Sequence, residues 1–378
     1  MFHSKYPDYS RMRDRSKRNI PKFVFDYLEG GCFDNIAVEA NRRAFRNIKL
    51  APQYLKPFKG CDLSTTLFGK TYQAPFGIAP IGLQGLIWPD APIILAKAAH
   101  KHNIPYILST VSSESIETIA NVAEENAWFQ LYNPVDEVIQ GAIFARLKAC
   151  GYKNLVVTVD IPTFGFRPND IVNGLTMPPK LSLGNLFDVC RVPQWGLSTL
   201  MSGIPRFKNL EPYMKERKLD LPEMMRIMAM GKVDVDGLKR IRDKWPGNLI
   251  IKGVCSKIDL NLVKEINADG IILSNHGGRQ LDASESPIEL LQKMAPSDLT
   301  SNLQVMLDSG VRSGVDVATT LASGASFTFL GRFFMYAVSA LGSRGGDHAI
   351  ELLNVQLTQV LEQIRCETPN QLSEFIVK

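Results

Sequence analysis

Trp128-Phe129-Gln130-Leu131-Tyr132 and Leu155-Val156-Val157-Thr158-Val159-Asp160 are two apolar runs of strand length. The chain between them, Val135–Cys150, is amphipathic, alanine-containing and long enough for a helix. A short apolar run alone does not separate a strand from a buried piece of helix. A run that ends on polar side chains, then a helix, then another such run, does separate them. The same unit recurs to either side. Pro75–Ala79, Pro105–Leu108, Leu249–Ile251, Gly270–Leu273, Val305–Leu307 and Phe327–Leu330 read as further strands, and Ala91–His100 and Ser115–Ala123 as further helices. Strand alternating with helix about eight times predicts an α/β protein, a TIM (β/α)8 barrel.

Two stretches do not fit the alternation. Residues 1–74 precede the first strand and contain Lys22-Phe23-Val24-Phe25-Asp26-Tyr27-Leu28 followed by Gly30-Gly31, which predicts an N-terminal helical cover on one barrel end. Asp160 to Leu249 is about three times the usual interval between strands of this fold. It holds a segment of about 181–231 rich in Leu, Met, Pro and Lys/Arg, read as an insertion after strand four on the catalytic face. The whole chain, 1–378, is expected to be one domain: cover 1–74, barrel 75–378.

Composition is that of an ordinary globular protein, with 45% hydrophobic and 21% charged residues among 378. A formal net charge of +5 favours an anionic substrate or an acidic membrane surface and excludes nucleic acid as the expected partner. The six cysteines are scattered without a C-x-x-C pair, so neither a metal site nor a disulfide framework is expected. The basic N-terminus lacks an apolar core and does not read as a secretory signal. No stretch reaches the length of a spanning helix. The expected location is the cytoplasm, at most at the inner face of the cell membrane.

In barrels of this type the chemistry sits where strands emerge at their C-terminal ends. The exits here carry Pro80-Ile81-Gly82, Ser109, Gln130 with Tyr132, Thr158 with Asp160, Lys252, Ser274 with His276, Asp308, and Gly331-Arg332. Strand capping explains single polar residues; it does not explain why His, Lys, Asp, Tyr and Arg converge on one rim. In Ser274-Asn275-His276-Gly277-Gly278-Arg279-Gln280-Leu281-Asp282 a strand opens into a glycine turn, presenting an imidazole to the cavity with an arginine close behind. Histidine accepts protons near neutral pH, and arginine holds a carboxylate through paired hydrogen bonds. Asp160 at the fourth exit is placed to pair with His276. Lys252 ends an apolar strand and requires an anion. Asp308-Ser309-Gly310-Val311-Arg312 and Gly331-Arg332 follow strands seven and eight, where backbone N–H groups and a helix start commonly bind phosphate. Tyr27, Tyr132 and Arg167 say little individually.

With these residues in view, the chain resembles the FMN-dependent L-2-hydroxy acid dehydrogenase/oxidase family from about Pro21 onward. Ser274–Asp282, Trp128–Tyr132, Thr158-Val159-Asp160 and Asp308–Arg312 carry the likeness. It is most similar to the membrane-associated bacterial branch acting on L-lactate and mandelate. Ala79-Pro80-Ile81-Gly82-Leu83 and Leu86-Ile87-Trp88-Pro89 resemble the mandelate enzymes, and Asp160-Ile161-Pro162-Thr163 and Pro193-Gln194-Trp195 the lactate enzymes. The resemblance implies FMN as cofactor, a small 2-hydroxy acid as substrate, a quinone or similar electron acceptor, and a homotetramer. It implies that Tyr27, Arg167 and Arg279 bind the substrate carboxylate, and that Tyr132 and His276 contact its hydroxyl, with Asp160 supporting His276. Pro80, Ile81 and Gly82 would lie against the flavin. Ser109, Gln130, Thr158, Lys252 and Ser274 would hydrogen-bond it, while Asp308, Gly310, Arg312, Gly331 and Arg332 hold ribityl and phosphate. His276 would take a proton from carbon or from hydroxyl as two electrons reach the flavin, and Lys252 would stabilise the reduced form. Val111 and Thr163 stand where glycolate oxidase carries tryptophan and arginine, which argues for a roomier pocket. Gly82 stands where the oxidases tend to carry alanine, which favours a dehydrogenase.

Three other readings compete. An oxidase would pass the electrons to oxygen and make hydrogen peroxide. Another phosphate-binding barrel, such as an isomerase, has no need of the His276/Arg279 pair. An inactive barrel serving as a binding or scaffold protein would be favoured by loss of His276, Arg279, Lys252 or Asp160, and all four are present.

Overall fold

The computed structural model describes residues 2–175, 182–229, 233–294 and 303–377. The described residues form ten strands. β1 (Thr65–Leu67) and β2 (Lys70–Tyr72) make a small antiparallel hairpin, and the other eight close into a barrel. These are β3 (Phe76–Ile78), β4 (Tyr106–Ser109), β5 (Ala127–Leu131), β6 (Asn154–Thr158), β7 (Asn248–Val254), β8 (Gly270–Leu273), β9 (Gln304–Leu307) and β10 (Phe327–Leu330). All neighbours are parallel, and β10 pairs with β3 to close the ring. The eight expected strands are the eight barrel strands, in order, with ends shifted by a few residues.

The near-continuous apolar runs have a physical reason: each strand is buried on both faces. One set of side chains, including Ile107, Trp128, Val156, Ile250, Ile272, Met306, Phe327 and Phe329, fills the barrel interior. The alternate set, including Phe129, Leu155, Val157, Leu249, Ile271 and Leu307, packs outward against the helices. The helices Ile116–Ala123 and Glu137–Ala149 start on side-chain caps. Ser115 accepts from the Thr118 N–H, and Asp136 from those of Val138 and Ile139.

The N-terminal cover is more than helical. Helices Tyr9–Asn19, Lys22–Glu29 and Ile36–Ala44 are present, but the β1–β2 hairpin was not expected. It belongs to the interior cluster: Leu67, Phe68 and Tyr72 join the barrel core, and Trp128 Nε1 donates to Tyr72 Oη at 3.2 Å. The helix Lys22–Glu29 serves the opposite end, where its C-terminal carbonyls meet rim arginines.

Between β6 and the helix Val235–Lys244 the described residues form five helices: Pro168–Val172, Leu183–Cys190, Pro193–Ser202, Glu211–Arg217 and Leu221–Ala229. Leu181 and residues 230–231 of the expected excursion lie outside the described residues. Its inner face is held to the barrel. Trp195 is buried, donates to the Ile87 carbonyl at 3.1 Å and stacks edge-on against Phe23. Asn209 accepts from the Ile116 N–H at 2.8 Å and donates to the Ser109 carbonyl at 3.2 Å. Phe207 is buried too. The outer face is apolar and exposed: Leu183 (86%), Leu200 (79%) and Met201 (88%) stand in solvent, with Leu186, Phe187 and Leu197 also exposed. Three basic residues of the segment are paired with carboxylates. Arg206 meets Glu211, Lys208 meets Glu114 and Arg217 meets Asp136. No helix among the described residues is long and apolar enough to cross a membrane.

Candidate active site

After β8 the chain turns through three consecutive residues in the left-handed region, His276 (φ +57°), Gly277 (+67°) and Gly278 (+77°). The glycines adopt it without strain, whereas a histidine there is uncommon and must be held by its surroundings. Asn275 does the holding. It is buried, its amide exchanges two 2.8 Å hydrogen bonds with Asn41, and its Oδ1 also accepts from the Gly278 N–H at 3.1 Å. The result is an imidazole facing a cavity at the C-terminal barrel end, with Nδ1 3.0 Å from Asp160 Oδ1.

Asp160 reaches that position because β7 bulges beside it. The register shifts between Lys252 and Val254, and Gly253 has φ +104°. A Cβ at Gly253 would lie 2.6 Å from the Asp160 Cβ, so the close approach requires glycine. Burial pushes the His276 pKa below its ordinary value against the pull of Asp160. Burial works to raise Asp160, but the imidazole and Lys252 outweigh it and hold the carboxyl below its usual range. The pair therefore rests as carboxylate and neutral imidazole, with Nδ1 occupied.

The arginines lie on one side of this pair. Arg279 Nη1 donates to the carbonyls of Tyr27 (2.7 Å) and Gly30 (2.6 Å), and its guanidinium stacks 4.8 Å from the Tyr27 ring centre. Its Nη2 is buried without a hydrogen-bond partner. Burial and the neighbouring charge of Arg167 lower the Arg279 pKa to about 10. Arg167 Nη2 donates to Gln280 Oε1 at 3.2 Å, and its Nε reaches the Arg279 carbonyl at 3.3 Å. Tyr132 lines the same cavity, and burial pushes its hydroxyl well above its ordinary pKa, so it is a neutral donor.

Below them, Lys252 is buried. Its Nζ donates to Ser274 Oγ at 2.8 Å and lies 3.1 Å from Asp308 Oδ2. Burial would lower its pKa, but Asp308 and Asp160 together raise it, so it is a fixed cation. Ser109 Oγ donates to Gln130 Oε1 at 2.8 Å, which orients the amide and leaves Gln130 Nε2 buried and unpartnered. Thr158 Oγ1 is buried and unpartnered as well. Pro80, Ile81 and Gly82 form the adjacent wall; a Cβ on Gly82 would come 2.8 Å from Val111 Cγ2.

At the far end, Ser309 (φ +74°) and Gly310 (φ +97°) turn tightly after β9, and a Cβ on Gly310 would meet the Asn41 carbonyl at 2.4 Å. Arg312 is stacked 5.2 Å from the Tyr9 ring centre and keeps a buried, unpartnered Nε. Gly331 begins the helix Arg332–Leu341 without a side-chain cap, leaving N–H groups for an anion. The Arg332 side chain lines the cavity and is also tied to the chain around it. It donates to the carbonyls of Leu28 (2.8 Å), Gly277 (2.9 Å) and Gly30 (2.9 Å), stapling the N-terminal cover to the histidine turn.

Buried polar atoms are nearly always hydrogen-bonded in native proteins. Here Gln130 Nε2, Thr158 Oγ1, Arg279 Nη2 and Arg312 Nε are not, and Thr158, Arg279 and Arg312 line one cavity. A polar ring edge set over Lys252, with a phosphate at Gly310, Arg312 and Gly331, fits this donor set, so the residues suit FMN. The cavity holds about 1850 Å³ and is walled on its outer side by Val189, Trp195, Phe207 and Met214 of the excursion. Sequence reading missed two contributors, Asp170 and Gln280. Gln280 was legible only as part of the Ser274–Asp282 run, and Asp170 only as an acid three residues beyond Arg167.

The family model for FMN-dependent dehydrogenases matches residues 16–378. The chain is 36% identical over 370 residues to the (S)-mandelate dehydrogenase of Pseudomonas putida, covering 97% of this chain and 91% of that one. It is 34% identical over 364 residues to an L-lactate dehydrogenase of Vibrio parahaemolyticus, covering 96% of each. A crystal structure described as the monotopic membrane protein (S)-mandelate dehydrogenase superposes with a TM-score of 0.92 at 34% identity, covering 99% of this chain and 100% of that one. By its fold, its cavity and these likenesses, the chain belongs to the FMN-dependent dehydrogenase family.

Proposed function

We propose that the protein oxidises a small L-2-hydroxy acid of the lactate or mandelate type to the 2-oxo acid and passes the electrons to a quinone at a membrane. One observation carries this reading. A buried arginine with a free Nη2 and a neutral imidazole backed by a carboxylate face the same cavity. The arginine suits a carboxylate, and the imidazole suits removal of a proton from the neighbouring carbinol.

In this mechanism Arg279 and Arg167 bind the substrate carboxylate, and Tyr27 keeps the Arg279 plane in place. Tyr132 donates to the substrate oxygen. His276 Nε2 accepts the proton, and Asp160 stabilises the imidazolium that results. FMN, when bound, supplies the two-electron acceptor. Gln130, Thr158, Ser109 and Ser274 orient its ring, and Lys252 provides the positive charge that favours electron gain. Asp308, Gly310, Arg312 and the helix start at Gly331 hold its chain and phosphate.

The exposed apolar face of the excursion supports attachment to a membrane surface without a spanning helix. Lys215, Lys218 and Arg191 supply the basic flank. The test is turnover of L-lactate and L-mandelate with a soluble quinone analogue or with air-saturated buffer, the 2-oxo acid being trapped as its hydrazone. The reading requires 2-oxo acid formation that is fast with quinone and slow with oxygen. Equal rates would make the protein an oxidase, and no 2-oxo acid with any 2-hydroxy acid would refute the activity.

A further inference from the structure

Asp170 lies in the short helix Pro168–Val172, three residues after Arg167, and lines the same cavity as His276 and Arg279. Its side chain is mostly buried (13% exposed), and a single oxygen, Oδ2, stands 3.6 Å from Arg279 Nη2 and 3.7 Å from Arg167 Nη1. Neither separation is a hydrogen bond, and Arg279 Nη2 has no other partner. A carboxylate therefore sits beside both guanidiniums, close enough to share their charge, without occupying the donor that a ligand needs.

The other groups around it sharpen the picture. Asp26, on the helix Lys22–Glu29, adds a second negative charge, itself paired with Lys22 and bonded by Asn173 Nδ2 at 2.9 Å. Burial raises the Asp170 pKa, and Asp26 adds to that, against the lowering pull of Arg279 and Arg167. Asp170 is thus an incompletely compensated anion next to the place where a carboxylate ligand has to arrive.

Resting on the hydroxy acid reading above, we infer that Asp170 is a resident counter-ion for Arg279 and Arg167 that opposes the incoming carboxylate and so sets how tightly the site holds anionic acids. It keeps two adjacent arginines neutralised and ordered while the pocket is empty. When a carboxylate binds at Nη2, Asp170 stands near a like charge and weakens the complex. Weak holding of an anion suits release of a 2-oxo acid product that carries the same carboxylate as the substrate.

The experiment compares the holoenzyme with its Asp170→Asn variant, which keeps the shape and removes the charge. Calorimetric titration with oxalate reads anion binding independently of redox chemistry. A unit charge a few ångströms away in a partly buried site is worth on the order of tenfold or more in affinity, so the variant should bind oxalate about tenfold tighter. Its KM for the hydroxy acid should fall in the same direction, with the change larger in KM than in kcat, while KM for the uncharged methyl ester stays put. Weaker or unchanged oxalate binding would overturn the proposal, as would an equal shift for acid and ester. If FMN content shows that the asparagine variant misfolds, Asp170→Ser is measured by the same criteria. Failure of the wild type to oxidise hydroxy acids would refute the activity reading alone, because oxalate binding is measured separately.

Discussion

The barrel rim and the outer face of the 182–229 excursion break the usual rule of burial in opposite directions. At the rim, Lys252, Asp308, Gln130, Ser274 and Asn275 are buried, and His276, Asp160 and Arg279 are largely so. On the excursion, Leu183, Leu200 and Met201 stand in solvent. Burying polar groups is costly unless each finds a partner, and exposing clustered apolar side chains is unfavourable unless something covers them. The rim meets its cost internally, through pairs such as Lys252–Asp308 and His276–Asp160. A few atoms are left over, and these mark where ligands belong. Among the described residues nothing covers the outer face of the excursion, and its proposed partner is a membrane surface.

Substitutions at the two regions should therefore separate chemistry from attachment. The largest effect is expected for His276→Ala. The groups proposed to hold FMN, at Gly310, Arg312 and Lys252, are untouched, so the cofactor should stay bound. Substrate-driven flavin reduction should slow by about two to four orders of magnitude. Stopped-flow reduction near the wild-type rate would remove His276 from the role of base.

Arg279→Lys comes next. A lysine cannot present the second N–H that Arg279 Nη2 offers while also keeping the carbonyls of Tyr27 and Gly30 satisfied. A hydrogen bond to a charged group is worth about 1.5–3 kcal/mol, so kcat/KM for hydroxy acids should fall roughly ten- to a hundredfold. An unchanged kcat/KM would place the substrate carboxylate elsewhere.

On the other side of the comparison, Leu200→Asp should leave flavin reduction alone and weaken binding to anionic vesicles. Losing one leucine's burial costs about 2 kcal/mol, or roughly thirtyfold in partitioning. Flotation with phosphatidylserine-containing liposomes reads it. If wild type and variant both stay in the soluble fraction, the outer face docks on something other than lipid.

The smallest effect is a displacement of a pH profile. His276 is depressed by burial and lifted by Asp160, with burial prevailing. In its proposed role as a base, it requires kcat/KM to fall as pH drops through a midpoint below about 6.5, the free imidazole value. Asp160→Asn removes the lifting charge and should carry that midpoint lower still, along with a loss in rate. A midpoint that moves up in the variant would contradict the pairing.

How much of this was legible follows from the physics of each part. The eight barrel strands were readable because both-sided burial writes continuous apolar runs, and the polar exits were readable because each run stops at the rim. The β1–β2 hairpin was not. Its strands are three residues each, and its turn places Phe68 (φ +51°) and Gly69 (φ +77°) in the left-handed region, where asparagine–glycine would have been the recognisable pair. Within the excursion, sequence shows apolar residues but not which way they face. Trp195 and Phe207 turned inward because the barrel offers them the Ile87 carbonyl, Phe23 and the cavity wall. At the site, His276, Arg279, Asp160 and Lys252 announced themselves by position. The three carbonyl contacts of Arg332 were not legible, because an arginine after a glycine turn looks the same whether or not it also holds carbonyls from distant segments. Asp170 went unread because its meaning depends on Arg279, more than a hundred residues away.

The most direct test of the central claim is anaerobic mixing of the purified protein with stoichiometric L-lactate or L-mandelate, followed by the visible absorbance band of oxidised flavin. The account predicts a yellow protein whose band bleaches with the L-enantiomer of at least one 2-hydroxy acid and not with its D-enantiomer. A colourless protein that takes up no FMN, or a flavin that stays oxidised with every 2-hydroxy acid tried, would contradict it.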